Sequence, residues 1–374
     1  MNLSTMPTLK IGELEARIPI IQGGMGVGIS LSGLASAVAS EGGVGVIAAA
    51  GIGMLEPDYK TNYREANKRA LRKEIKKAKA MTLGIIGVNL MVAFADFSAL
   101  AGVTVNEGAD LVFLSAGLPL KNPKTLPLDR LKDIATKVVP KVSSARAAKL
   151  IFQHWANKYD LVPDAVVIEG PLSGGHQGFR KDDLDNPAYA LERLLPEVIS
   201  VIEPYEQRFG KSIPVIAAGG VYTGADIYKY IQMGAKGVKM GTRFVATHEC
   251  DASEEFKAAY IKCKKEDLVI IDSPVGIPAR VIRNKFVDDV NAGIKKPFRC
   301  PWKCLRTCNF RNAPYCIALV LANAKNGRFE EGFAFAGANA YRVDNIISVR
   351  ELFNVLSEEF ERAGAEGIVS SGHD

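Results

Sequence analysis

Glu169-Gly170-Pro171-Leu172-Ser173-Gly174-Gly175-His176-Gln177-Gly178 sets one histidine among four glycines, directly after an apolar run, Ala165-Val166-Val167-Ile168. Glycine has no side chain to pack and costs entropy, so this density points to tight turns and a close backbone approach to a bound group. An imidazole titrating near neutrality, held on a loop just past the C-terminal end of a strand, is placed as a general acid/base. The other reading is a ring that caps a turn.

A second constellation is Ala217-Ala218-Gly219-Gly220-Val221 with Met240-Gly241-Thr242-Arg243-Phe244. In a barrel, the loops after strands seven and eight can hold a phosphate through backbone N–H groups and a hydroxyl, which makes Gly219, Gly220, Gly241 and Thr242 candidates. Ordinary turns at strand ends are the alternative. Gly23 to Gly28 lacks the G-x-G-x-x-G spacing of a dinucleotide fingerprint and is set aside.

The third group is Cys300, Cys304, Cys308 and Cys316, spaced C-x3-C-x3-C-x7-C. The spacing matches neither the usual zinc C-x2-C pair nor a standard ferredoxin run, yet four soft ligands within 17 residues could gather zinc or an iron–sulfur cluster. On a helix, Cys300, Cys304 and Cys308 would share one face and suit plain packing instead.

These residues need a frame. Apolar runs at Ile18–Gln22, Val44–Ala49, Leu83–Leu90, Leu111–Gly117, Lys137–Ser143, Ala165–Ile168, Ile213–Gly220 and Gly237–Thr242 read as eight short buried strands. Seven helical segments accompany them: Ser32–Ser40, Lys60–Lys79, Asp96–Ala109, Ala145–Tyr159, Pro187–Gly210, Gly224–Met233 and a closing Val349–Ala363. Eight such units predict an α/β fold, a closed (β/α)8 TIM barrel, with an open doubly wound sheet as the alternative. Residues 252–335 are rich in Lys, Arg and Cys and lack strand runs, which predicts a mostly helical second domain inserted after the eighth strand. The expected division is 1–250 plus 345–374 for the barrel and 251–344 for the insertion, with a frayed tail from Ala365 to Asp374.

The chain of 374 residues is 48% hydrophobic and 24% charged, with 35 glycines, an ordinary globular composition with some glycine excess. Its net charge of +6 is concentrated between Lys60 and Lys79, where nine Lys or Arg face Glu65 and Glu74. This is one basic helix, read as a solvated face or as a dock for an acidic carrier protein; without interleaved aromatics it does not read as a nucleic-acid surface. Met1 to Leu14 carries no signal-like run, no stretch suits a membrane span, and a cytoplasmic location is expected, where structural disulfides are disfavoured.

Taken together in order, Pro19-Ile20-Ile21-Gln22-Gly23-Gly24-Met25, Gly87-Val88-Asn89, the Glu169 to Gly178 loop, Ala217 to Val221 and Met240 to Phe244 resemble the nitronate monooxygenase family, formerly 2-nitropropane dioxygenase. The flavin-dependent enoyl-acyl-carrier-protein reductases are its close relatives. The resemblance runs from about Ile18 to Val349 and implies a barrel that binds FMN non-covalently. It places Gly24 and Met25 beside the isoalloxazine and Asn89 with Lys141 or Ser143 at the flavin or ribityl chain. It assigns the phosphate to Gly219, Gly220, Gly241 and Thr242, counts Gly174 and Gly175 with the cofactor loop, and makes His176 the catalytic base.

The implied reactions are oxidation of alkyl nitronates with O2 or, as in the reductases, hydride relay from NAD(P)H to an enoyl thioester or quinone, where an acyl carrier protein could be the partner. A non-catalytic flavin-binding protein is the third reading. Pro171-Leu172-Ser173 replaces the acidic pair usual in the family, making Ser173 a substrate-side candidate. Ser273-Pro274-Val275-Gly276-Ile277-Pro278-Ala279-Arg280 resembles the family's Gly-x-Pro-Ala-Arg stretch, so Arg280 and Asn284 either face the site or, for Arg280, bridge the two domains. The four clustered cysteines are outside the family pattern.

Overall fold

A computed structural model describes residues 6–120, 135–294, 296, 298–300 and 302–371, with side chains to residue 366. Chain order begins with a hairpin, β1 (Leu9–Ile11) and β2 (Leu14–Ala16), followed by β3 (Ile20–Gln22), β4 (Val44–Ala48), β5 (Ile85–Met91), β6 (Leu111–Ser115), β7 (Lys137–Val142) and β8 (Val166–Glu169). After the two-residue β9 (Gly175–His176) come β10 (Val215–Ala218) and β11 (Gly237–Met240). Strands β3 to β8, β10 and β11 pair in parallel and close on themselves, so the sheet is a barrel and not an open one.

Alternation along each strand explains the closure. Ile21, Val44, Val46, Leu111, Phe113, Val139, Val167 and Ile216 fill the interior. Their neighbours Ile20, Ile47, Val88, Val112, Val138, Ile168 and Val238 pack outward against the helices. The helices are α1 (Ser32–Ser40), α2 (Tyr63–Met81), α3 (Phe97–Asn106), α4 (Ala145–Tyr159), α5 (Leu191–Phe209), α6 (Gly224–Gln232) and the one-turn α7 (Thr242–Val245). The closing helix, α11 below, packs on α6.

At least five of the nine cations between Lys60 and Lys79 have carboxylate partners: Lys68 with Glu65, Arg69 with Glu56 and Asp58, Arg72 and Lys76 with Glu107, and Lys79 with Asp110. That answers much of the local charge and favours the solvated-face reading.

One element is added and two expectations are corrected. The N-terminal hairpin was not anticipated, because its alternating apolar positions are few; Leu9, Ile11 and Ala16 join the interior cluster at the foot of the barrel. The stretch 252–335 does contain strands, β12 (Leu268–Asp272) and β13 (Pro278–Ile282), between α8 (Glu254–Lys262) and α9 (Lys285–Asn291), with α10 (Ile317–Lys325) following. The surrounding Lys, Arg and Cys hid an apolar hairpin whose Ile271, Ala279 and Val281 share a small core with Phe286, Tyr315 and Phe333. Finally, α11 (Val349–Ser371) continues through most of the expected frayed tail, of which residues 372–374 lie outside the described residues. Residues 1–5 of the leader reading also lie outside them. Among the described residues no helix is long and apolar enough to cross a membrane.

Candidate active site

The C-terminal ends of the barrel strands converge on one mouth. Gly24, after β3, presses onto it so closely that a Cβ there would stand 2.6 Å from Asn89 Cβ and 3.1 Å from Val46. Only glycine allows that approach. Asn89, at an inward position of β5, donates from Nδ2 to Ser115 Oγ at 3.3 Å. Lys141 at the end of β7 pairs with Glu169 at the end of β8, Nζ to Oε2 at 2.7 Å. Lys239 on β11 points inward over the Phe113 ring, 4.1 Å from its centroid. Burial, reinforced by the charge of Lys141 and opposed by Glu169, brings the Lys239 ammonium down to about 7.

His176 lies across this mouth on β9, a short strand that the β12–β13 hairpin extends into a three-stranded sheet. Ala279 sits opposite His176 and Arg280 opposite Gly175. The imidazole Nε2 meets Ser273 Oγ at 2.7 Å, and the ring packs edge-on against Phe335, centroids 5.0 Å apart. Burial, with the positive charge of Lys141 as a second cause, pulls His176 down from its ordinary value to about 4. The ring is neutral at pH 7. It is not a turn cap.

The glycines of its loop are closely approached by neighbouring chain. A Cβ on Gly174 would stand 2.7 Å from the backbone of Ala336 and Gly337, and one on Gly175, whose φ is +71°, would stand 2.9 Å from Phe335. Gly178 similarly abuts Ser143, whose Oγ donates to the Gly178 carbonyl at 3.1 Å. Gly174 and Gly175 thus let the protein's own chain, Phe335 to Gly337, pass close against the loop. The Ser173 hydroxyl donates to Gln177 Oε1 at 3.2 Å, while Gln177 Nε2 returns to the Ser173 and Gly175 carbonyls.

Arg280 takes the bridging role. Its buried Nη1 donates to the carbonyls of Pro171 at 2.7 Å and Ser173 at 2.8 Å, stitching β13 to the loop after β8. The Asn284 side chain is engaged at the start of α9. Oδ1 accepts from Val287 N–H at 3.0 Å, and Nδ2 donates to the Phe329 and Gly332 carbonyls.

Opposite the histidine, Gly219 and Gly220 adopt φ of +89° and +107°, closed to most side chains. The space beside Gly241 is open, its nearest neighbour being Met25 Sδ at 3.8 Å. Thr242 starts α7. A strap that the sequence reading did not single out, Phe335-Ala336-Gly337-Ala338-Asn339, runs from the histidine to this side. A Cβ on Gly337 would touch Thr242 Oγ1 at 2.7 Å, and Asn339 Nδ2 donates to the Gly220 carbonyl at 2.7 Å.

Ser273, Glu169, Lys239 and the strap are therefore the residues whose part at the site was missed. Lys239 had a readable signal: a lysine inside a four-residue apolar strand, two positions after Gly237 on the same face. Ser273 had none, because its meeting with His176 depends on tertiary pairing 97 residues apart.

Comparison with known proteins agrees with this architecture. Among curated relatives, a probable nitronate monooxygenase of Staphylococcus aureus is 29% identical over 304 residues, covering 74% of this chain and 79% of its own. An octahydro-indene-carboxyl-CoA dehydrogenase of Mycobacterium tuberculosis is 29% identical over 293 residues, covering 78% of this chain and 70% of its own. Among solved structures, FabK from Thermotoga maritima superposes with a TM-score of 0.73 at 28% identity, covering 95% of this chain and 96% of that one. The family model described as nitronate monooxygenase matches residues 8–359, and the chain belongs to that family of oxidoreductases.

Proposed function

We propose that the protein is an FMN-dependent oxidoreductase that oxidises alkyl nitronates with O2, acting in the cytoplasm, where its six free thiols are stable. The mouth suits the cofactor. Gly24 brings backbone against Asn89, Gly241 leaves open space beside Met25, and Gly219, Gly220, Gly241 and Thr242 offer the backbone and hydroxyl for a phosphate. Asn89 and Lys141 would hold the polar edge of the ring system or its side chain, and Met25 would pack beside the ring. FMN, when bound, supplies electron acceptance and the reaction with O2.

The observation that carries the nitronate reading is a neutral histidine beside lysines. Lys141 is offset by Glu169, so the second cation, Lys239, decides the local sign; an arriving anion favours its protonated form. The mouth therefore attracts an anion at neutral pH. His176, held to about 4 without substrate, is a weak base toward a neutral nitroalkane and needs no ionisation to accept a substrate already present as the nitronate. The nitronate formed as the α-proton leaves raises the proton affinity of the ring beside it, so a ring nitrogen can take that proton from the neutral form, though more slowly than the site accepts a nitronate.

A second reading, NAD(P)H-dependent reduction of an enoyl thioester or quinone, is favoured by a separate cleft of about 460 Å³. Lys60, Arg299 and Arg328 line it with Tyr59 and Trp302, a setting suited to a phosphate-bearing adenine nucleotide such as NAD(P)H or coenzyme A. Steady-state assays separate the two. Oxygen uptake with ethyl or propyl nitronate, exceeding NAD(P)H oxidation with crotonyl-CoA or a quinone, supports the first reading; the reverse order supports the second.

A further inference from the structure

The four clustered cysteines do not lie on a helix, so the face-sharing alternative fails. Cys300, Cys304 and Cys308 sit on an irregular segment, and Cys316 stands at the N-cap of α10. All are free thiols; Cys316 is buried and the other three are half-buried. The segment is anchored to the barrel rim. Ala95 N–H donates to the Cys304 carbonyl and Arg306 N–H to the Ala93 carbonyl, both at 3.0 Å, and Phe94 bridges Leu305. Residues 93–95 leave the end of β5, the strand that carries Asn89. Trp302 packs against Tyr59 and Tyr63 of the α2 entry, with centroid distances of 5.5 and 6.0 Å.

Although separated by up to 16 positions in sequence, the thiols converge in space. An ionised Cys300, Cys308 or Cys316 would push the Cys304 thiol up, an ionised Cys300 the Cys308 thiol, and an ionised Cys300 or Cys308 the Cys316 thiol. Every pair among the four is therefore in electrostatic contact. Donors surround the sulfurs as well: Lys303 N–H points to Cys300 Sγ at 3.4 Å, Ala318 and Leu319 N–H groups point to Cys316, and the Tyr63 hydroxyl points to Cys304. Lys303 has a φ of +47°, a left-handed conformation rare for a side-chain-bearing residue, in the turn between Cys300 and Cys304.

Arg299, Lys303, Arg306 and Arg311 flank the same run and complement a net-negative group. Among the described residues, no three His, Cys, Asp or Glu side chains close on a single metal ion. A lone zinc would draw its sulfurs to roughly 3.8 Å from one another, given Zn–S bonds of ~2.3 Å. A cuboidal cluster of iron and sulfide keeps its four cysteine ligands farther apart, and N–H donors to the sulfurs are what such clusters use to tune their stability and potential.

We propose that Cys300, Cys304, Cys308 and Cys316 together ligate a 4Fe–4S cluster on the rim of the barrel, beside the loop that follows β5. The cluster joins an irregular segment to the barrel in the way a structural metal joins a small domain. On binding, the four thiols would release their protons to solvent as iron takes their place, and the positive charge of the iron would offset the mutual repulsion that four bare thiolates would suffer here.

The test is anaerobic purification of the full chain from iron-supplemented cells, followed by reconstitution with ferric and ferrous iron together with sulfide. Iron, acid-labile sulfide, zinc and FMN are measured per chain, and the dithionite-reduced protein is examined by electron paramagnetic resonance. The expected result is about four iron and four sulfide per chain, with a reduced-cluster signal. Cys304→Ser and Cys308→Ser should each lose at least half of the iron while keeping FMN content and circular dichroism unchanged. Iron at background in reconstituted, flavin-replete protein would overturn the proposal. So would stoichiometric zinc without sulfide, disulfides among these cysteines under anaerobic conditions, or full iron retention in both variants.

Discussion

The barrel rim and the inserted hairpin face each other across one mouth but contribute by different means. On the rim, β3, β5, β7, β8 and β11 supply close backbone and fixed charge: Gly24, Asn89, the Lys141–Glu169 pair and Lys239. The hairpin and the strap behind it offer shape and desolvation, through Ser273 at the imidazole and Arg280 under the loop from the hairpin and Phe335 of the strap against the ring. The difference teaches that His176, although it belongs to a barrel loop, has its ring position and protonation state set by the insertion as much as by the barrel. On the proposed function, holding the ligand would be the rim's work, while the histidine is kept neutral by burial, to which the hairpin contributes, and by Lys141 on the rim.

The strongest way to break that division is at the histidine itself. His176→Asn should lower turnover on neutral nitroalkanes by roughly 10²- to 10⁴-fold, the usual worth of a positioned base, while FMN content stays unchanged. Loss of flavin in this variant would mean that the histidine belongs to the holding side. Gly24→Val tests the rim in return. Its side chain would drive into Asn89 and Val46, so FMN binding should fall by about tenfold or more, with the barrel still folded by circular dichroism.

Ser273→Ala probes the hairpin more gently. It removes the partner of His176 Nε2 without a charge, and a cost of about 1 kcal/mol corresponds to a several-fold fall in kcat with FMN affinity unchanged. Restoration by Ser273→Thr would mark the hydroxyl as a positioning group.

The contrast also has a pH signature. Lys239, brought down to about 7, loses its charge as pH rises, so KM for a nitronate should climb above that pH by at most tenfold per unit, and Lys239→Met should flatten the profile. The smallest effect concerns stability. His176 binds its proton less readily folded, at about 4, than unfolded, near its ordinary 6.5, so the unfolded state holds more protons between those values. Stability should therefore fall as pH drops from 6.5 to 4, and His176→Asn should lose that part of the slope in urea titrations.

The same two regions differ in how readable they are from sequence. Barrel strands such as Val44–Ala48 and Leu111–Ser115 are continuous apolar runs because both faces are buried, and runs of that kind need no tertiary knowledge. The hairpin at Leu268–Ile282 is half-exposed and broken by its turn, so its strands hide in charged surroundings. Gly174 and Gly175 show the limit for the site: their composition announces a close approach, but sequence alone does not tell a bound ligand from the Phe335–Gly337 strap that occupies the space. His176 was legible by position, whereas Ser273 became its partner only once the hairpin had folded across the mouth.

The most direct test of the nitronate account is anaerobic mixing of the purified, FMN-loaded protein with ethyl nitronate and, separately, with NADH and NADPH, following the flavin absorbance. The account predicts bleaching by the nitronate, faster below pH 7 than above it, and little change with either nicotinamide. Bleaching by NADH or NADPH with none by the nitronate would contradict it.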